Sequence, residues 1–88
     1  MSPETLIEIA QTSIAAGEHA LGRRFLKQAL DMSPGNIQAS LCLASLELQD
    51  NSPLVAMNIL SELWKSTQNV EIGHLILELS SSIIQTSE

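Results

Sequence analysis

Residues 3–36 read PETLIEIAQTSIAAGEHALGRRFLKQALDMSPGN and residues 37–70 read IQASLCLASLELQDNSPLVAMNILSELWKSTQNV, and laid over each other the two stretches share a plan. A shift of 34 residues brings Ile9 onto Leu43 and Leu77, Gly22 onto Ala56, Leu26 onto Leu60, and Leu30 onto Trp64. That period is the length of one helix-turn-helix unit. Such a unit cannot bury its apolar side alone and stacks on its neighbour to do so.

Turn formers divide the chain into five segments with helical spacing, and none shows sustained period-two alternation. Ser2-Pro3 is an N-cap followed by proline at the first helical position, and the apolar set Leu6, Ile7, Ile9, Ala10, Ile14 runs to a stop at Gly17. This predicts a first helix over about 3–16. A second, about 18–32, carries Leu21, Phe25, Leu26, Ala29 and Leu30 and ends at Ser33-Pro34-Gly35-Asn36. Asn36 caps a third, about 36–49, which Asp50-Asn51 closes. Ser52-Pro53 repeats the opening signature for a fourth, about 53–66, and Thr67-Gln68-Asn69 separates it from a last helix near 70–85. Connections this short favour antiparallel neighbours. The expected fold is all-α, five antiparallel helices in one domain, residues 1–88.

Composition narrows the function. The chain has 88 residues, too few for more than a modest core. Only 16% of them are charged against 44% apolar, so some apolar surface is expected to meet a partner. A net charge of −6, with Arg23, Arg24, Lys27 and Lys65 as the cations, disfavours nucleic acid and anionic membranes, whose phosphates need Lys and Arg. Glu8, Glu47, Glu62 and Glu78 interrupt each apolar run, so no membrane span is expected. The single cysteine, Cys42, excludes an intramolecular disulfide, and no charged-then-apolar leader opens the chain, which leads to a cytoplasmic expectation.

With period and turns placed, the chain resembles the tetratricopeptide repeat family. In the first unit, 3–36, Leu6 stands where the family has tryptophan, Ile9-Ala10 at its Leu-Gly pair, Gly17 at the inter-helix turn, Gly22 and Ala29 at its small positions, and Pro34 at its terminal proline. In the second, 37–70, Leu43-Ala44, Ala56, Leu60 and Leu63 keep the scheme, while Ser40, Glu47 and Gln68 replace tryptophan, tyrosine and proline. The remainder, 71–88, aligns with one further first helix, with Glu78 at a normally small position. The resemblance implies two tetratricopeptide-like helical hairpins and a C-terminal capping helix.

It also implies a concave groove lined by the first helix of each repeat. The family's groove phase picks out Glu4, Ile7, Glu8, Gln11, Ile14 and Ala15 in helix one, and Gln38, Leu41, Cys42, Ser45, Leu48 and Gln49 in helix three. The last helix adds Ile72, Leu75, Ile76, Leu79, Ser82 and Ile83. No Lys or Arg falls among them, which disfavours the acidic chaperone C-termini that some family members grip. What remains is an aliphatic trough of Ile7, Ile14, Leu41, Leu48, Leu75, Ile76, Leu79 and Ile83 that suits an amphipathic helix of a partner protein. The same spacing also describes core side chains. For the last helix two readings stand: it turns to bury the stripe, or the stripe meets a partner.

The polar residues carry little chemistry. His19, His74 and Cys42 form no metal-ligand spacing, Cys42 reads as a small buried hydrophobe, and Arg23, Arg24 and Lys27 read as a solvated face. No phosphate loop, serine elbow or carboxylate pair is visible, so neither catalysis nor a cofactor or metal is expected. The expected function is a protein-interaction module, an adaptor or small chaperone similar in size to chaperones of bacterial secretion-system subunits. The alternative is a helical repeat that self-associates through its last helix into a homo-oligomer.

Overall fold

In a computed structural model, which describes residues 2–86 and side-chain surroundings as far as Ser81, the chain forms helices α1 (Pro3–Ala15), α2 (His19–Met32), α3 (Ile37–Gln49), α4 (Pro53–Thr67) and α5 (Val70–Thr86). The fold is all-α, with no strand among the described residues. Each boundary lies within about a residue of the sequence expectation, because the signals that set it are local. Ser2 Oγ accepts from the Thr5 N–H at 3.3 Å ahead of Pro3, and Asn36 Oδ1 accepts from the Ala39 N–H at 2.9 Å. Ser52 differs from its expected role. Its side chain makes no capping bond, although its place before Pro53 is as read.

The backbone of Ser52 explains this. Ser52 N–H donates to the Glu47 carbonyl at 2.8 Å and Asn51 N–H to Leu48 at 3.2 Å, while Asn51 takes φ +61°. One repeat earlier, Glu18 N–H donates to Ser13 at 2.8 Å and Gly17 N–H to Ile14 at 2.9 Å, with Gly17 at φ +86°. Both turns are the same helix C-terminal motif, with a left-handed residue and crossed bonds back to the last turn. They stand 34 residues apart. The internal repeat is thus reproduced in backbone geometry as well as in apolar pattern.

Side-chain pairs give the directions of the helices. Gly22 lies against Ile14 and Ala10, His19 and Arg23 reach Asp50 and Glu47, Ala44 packs with Ala56 and Leu60, and Trp64 faces Gly73 while Met57 meets Ser80. Between α2 and α3, and between α4 and α5, rising numbers on one helix meet falling numbers on the next, so these pairs run antiparallel, and the short turns after α1 and α3 fold each of those helices back along the next. Gln11 beside Cys42 joins α1 to α3 in parallel. Contacts link α1 with α2, α2 with α3, α3 with α4, α4 with α5, and α1 with α3. The body measures 42 × 29 × 15 Å, and its thin dimension has room for about two helix layers packed 8–10 Å apart.

Two clusters hold it. Leu6, Ile7, Ala10, Leu26, Ala29, Ala39, Leu43 and Leu46 form the main core under α1, α2 and α3. Ala44, Ala56 and Leu60 form the second, against which Leu41, Ile59, Ile76 and Leu79 pack. Alanines at the crossings let helices approach closely, and the longer side chains fill the space beside them.

The last helix departs from the repeat by one residue. Asn69 Oδ1 accepts from the Glu71 N–H at 2.9 Å and opens α5, whereas its counterpart Asn36 opens α3, an offset of 33 instead of 34. One residue is about 100° of helix rotation. Ile72 therefore takes the place of Ala39 and is 2% exposed, and Ile76 and Leu79 fall at the places of Leu43 and Leu46 and pack inward. Of the described members of the final stripe, Ile72 is buried and Ile76 and Leu79 are half-buried, so the helix turns to cover the stripe in part. Leu75 alone of the described members stays open, at 40%.

Candidate functional site

Because α1 and α3 run side by side in parallel, a groove of about 370 Å³ opens between them. Gln11, Ile14 and Ala15 form one wall, and Leu41, Cys42, Ser45, Leu46 and Gln49 the other. All but Leu46 lie at positions that the sequence phase assigned to a groove. Gln11 Nε2 donates to Cys42 Sγ at 3.5 Å across it, and Cys42 is half-buried in the wall instead of sealed in the core. The floor is aliphatic and the lining is uncharged.

The expected trough is not continuous. Ile7 is 1% exposed in the main core, because α1 is covered by both α2 and α3 and a wide arc of its surface is internal. Ile14 and Leu41 line the groove, while Leu48 is 42% exposed and stands outside it. Ile76 and Leu79 pack against the second cluster, and Leu75 is exposed on α5. The side chain of Ile83 lies outside the described residues.

The one-residue slip of α5 changes which of its residues take the groove phase. Counted from Asn69, the groove-phase positions whose side-chain surroundings are described become Glu71, His74, Leu75, Glu78 and Ser81, and all five are exposed. On α1 the groove phase includes Glu4 and Glu8, also exposed. Every Lys and Arg of the chain lies on α2 or α4. The groove thus has an apolar floor, and α1, α3 and α5 carry acids and no basic residue. The helical phase of the acids is readable in the sequence, but its direction depends on the slip.

Charge on the α2 side is organised differently. Arg23 Nε donates to Glu47 Oε1 at 2.5 Å, the Arg23 guanidinium also pairs with Asp50, and His19 Nδ1 lies 2.9 Å from the other Asp50 oxygen. Arg24 and Lys27 are exposed, as a solvated face should be, but Arg23 turns inward and ties α2 to α3. Glu47, 8% exposed, is where the resemblance has tyrosine, and Arg23 supplies the partner its buried carboxylate requires. The Glu47 bond raises the Arg23 pKa above its ordinary value against the opposing effect of burial, and Asp50 adds to it. Asp50 is held below its ordinary 3.8 first by His19 and then by Arg23.

Among the described residues no group of three or more His, Cys, Asp or Glu converges on a metal-sized space, and no helix is long and apolar enough to cross a membrane. No protein-family model matches this chain, and no curated protein matches it significantly.

Proposed function

We propose that the protein is a non-enzymatic interaction module, built as two tetratricopeptide-like hairpins (3–36 and 37–70) and a capping helix, that holds an amphipathic helix of another protein in the groove between α1 and α3. The observation that carries this reading is the aliphatic floor of Ile14, Leu41 and Leu46 in an uncharged groove, with exposed Glu4 and Glu8 on the face of α1 that carries Gln11 and Ala15, and no Lys or Arg on α1 or α3. An amphipathic helix lays its apolar stripe into such a floor. Acids without basic neighbours select a helix whose stripe is flanked by Lys and Arg, since opposite potentials steer encounter and like charges penalise the wrong partner. The role is that of an adaptor or small chaperone, covering an apolar stripe that its owner cannot leave in water.

The test is anisotropy titration of a labelled model peptide of about five helical turns, with leucines on one face and lysines beside them. Saturable binding is expected, weaker by at least about tenfold, or about 1.4 kcal/mol, in Leu41→Glu and in Ser45→Glu. Ser45 is exposed and Leu41 half-buried, so circular dichroism should report unchanged helicity. Equal binding by both variants, with helicity intact, would remove the groove from the account.

A further inference from the structure

A second, separate surface lies at the other side of α5. Trp64, Val70, Gly73 and Leu77 line a groove of about 600 Å³ between α4 and α5, with Lys65 and His74 at its border. Val70 is 73% exposed, Leu77 66% and Trp64 39%. The repeat tells what belongs there. Trp64 corresponds to Leu30, and with the one-residue slip Gly73 corresponds to Ser40 and Leu77 to Ala44. In the earlier repeat these places are covered by α4: Ile59 and Leu63 stand beside Leu30 and Ser40, and Ala44 is 3% exposed against Ala56 and Leu60. The α4–α5 groove is the same seat without its helix.

We infer that the α4–α5 groove is a docking seat for an α4-like helix supplied by another protein, one with a small residue opposite Leu77 and an acidic residue near Lys65. The small residue follows from volume, because Leu77 replaces Ala44 at the crossing and leaves less room for what packs on it. The acidic residue follows from charge. In the filled seat Glu62 of α4 shares its border with Asp31, a like charge, but the residue corresponding to Asp31 in the open seat is Lys65. A second copy of the chain cannot supply this helix from its own α4, whose Ala56, Leu60 and Leu63 are in its core. The seat is independent of the α1–α3 groove and does not rest on what binds there.

Trp64 is the only tryptophan, and the chain has no tyrosine, so emission excited in the indole band reports this seat alone. The probe is a side-chain-stapled peptide of residues 53–67 carrying Trp64→Leu, which keeps the α4 stripe and Glu62 and adds no fluorophore. Titrating it into the full chain is expected to shift Trp64 emission to the blue with saturation. Leu77→Glu, at an exposed position, should abolish the shift, and Leu41→Glu should leave it unchanged. An unaltered spectrum at saturating peptide, or an equal response in Leu77→Glu, would overturn the inference. So would peptide-free emission that shifts with protein concentration alongside a doubled mass in sedimentation, since a second copy would then fill the seat.

Discussion

Gly22 lies directly against Ile14: a Cβ built on Gly22 would stand 2.5 Å from Ile14 Cγ1 and 3.2 Å from the Ala10 carbonyl oxygen. The bare glycine lets α2 approach α1, and the close approach seats Ile14, which walls the groove. Glycine in a helix is otherwise a cost of about 1 kcal/mol relative to alanine.

Replacing Gly22 with alanine therefore sets two effects against each other. The helix gains about 1 kcal/mol in propensity, but overpacking a filled crossing costs about 1–3 kcal/mol, and part of the obstruction is backbone that cannot rotate away. Net destabilisation of about 1 kcal/mol is expected in urea denaturation. A more stable Gly22→Ala would mean that the approach of α1 and α2 is looser than described.

Arg23 and Glu47 make a pair whose members fare badly alone. Arg23→Leu strands a Glu47 carboxylate that is 11% exposed at the side chain, and a loss of about 2 kcal/mol is expected, in the range for a charged hydrogen bond. Adding Glu47→Leu should recover most of it, because an apolar pair of similar volume needs no partner. Urea midpoints of the wild type, both single variants and the double variant close this cycle. Additive losses would show that the two side chains do not interact.

Asp50 gives a pH signature. Its pKa in the folded chain lies below the ordinary 3.8, through His19 and then Arg23. A carboxylate depressed by folding stabilises the fold fully above its unfolded value, and that contribution is lost as pH falls through the folded one. The stability gap between the wild type and Asp50→Asn should be present at about pH 7 and closed at about pH 2. A gap of equal size at both would mean that the carboxylate charge has no part in it.

The sequence spoke clearly wherever the signal was local. Ser2-Pro3, Gly17, Asn36 and Asn51 place helix ends within about a residue, because a cap or a left-handed turn is decided by the few residues around it. Ser52 looked like Ser2 but its oxygen is not used, since the preceding turn already directs its backbone to Glu47. The phase of α5 was out of reach for a different reason. Dropping one residue from a connection leaves the apolar period of the helix intact and changes only which way it points, so Ile72, Ile76 and Leu79 read as groove, yet Ile72 is buried and Ile76 and Leu79 pack half-buried against the second cluster. The Arg23–Glu47 pair joins residues far apart in sequence, and its trace was an acid at an apolar phase of α3, a position where a buried charge needs a partner.

The groove members divided along the same line. Gln11, Ile14, Leu41, Cys42 and Ser45 were found by phase because α1 and α3 keep the 34-residue register. Ile7 shares that phase but lies where α1 meets two neighbours at once, which a one-helix pattern does not contain.

The measurement that bears most directly on the account is a two-dimensional NMR titration of the isotope-labelled chain with the leucine-lysine helical peptide. Saturable shifts are predicted at the backbone and methyl signals of Ile14, Ala15, Leu41, Cys42 and Ser45, with smaller changes at Glu8 and none at Leu77. Shifts absent from α1 and α3, or confined to the α4–α5 face, would contradict the claim that the groove between α1 and α3 is where this protein meets its partner.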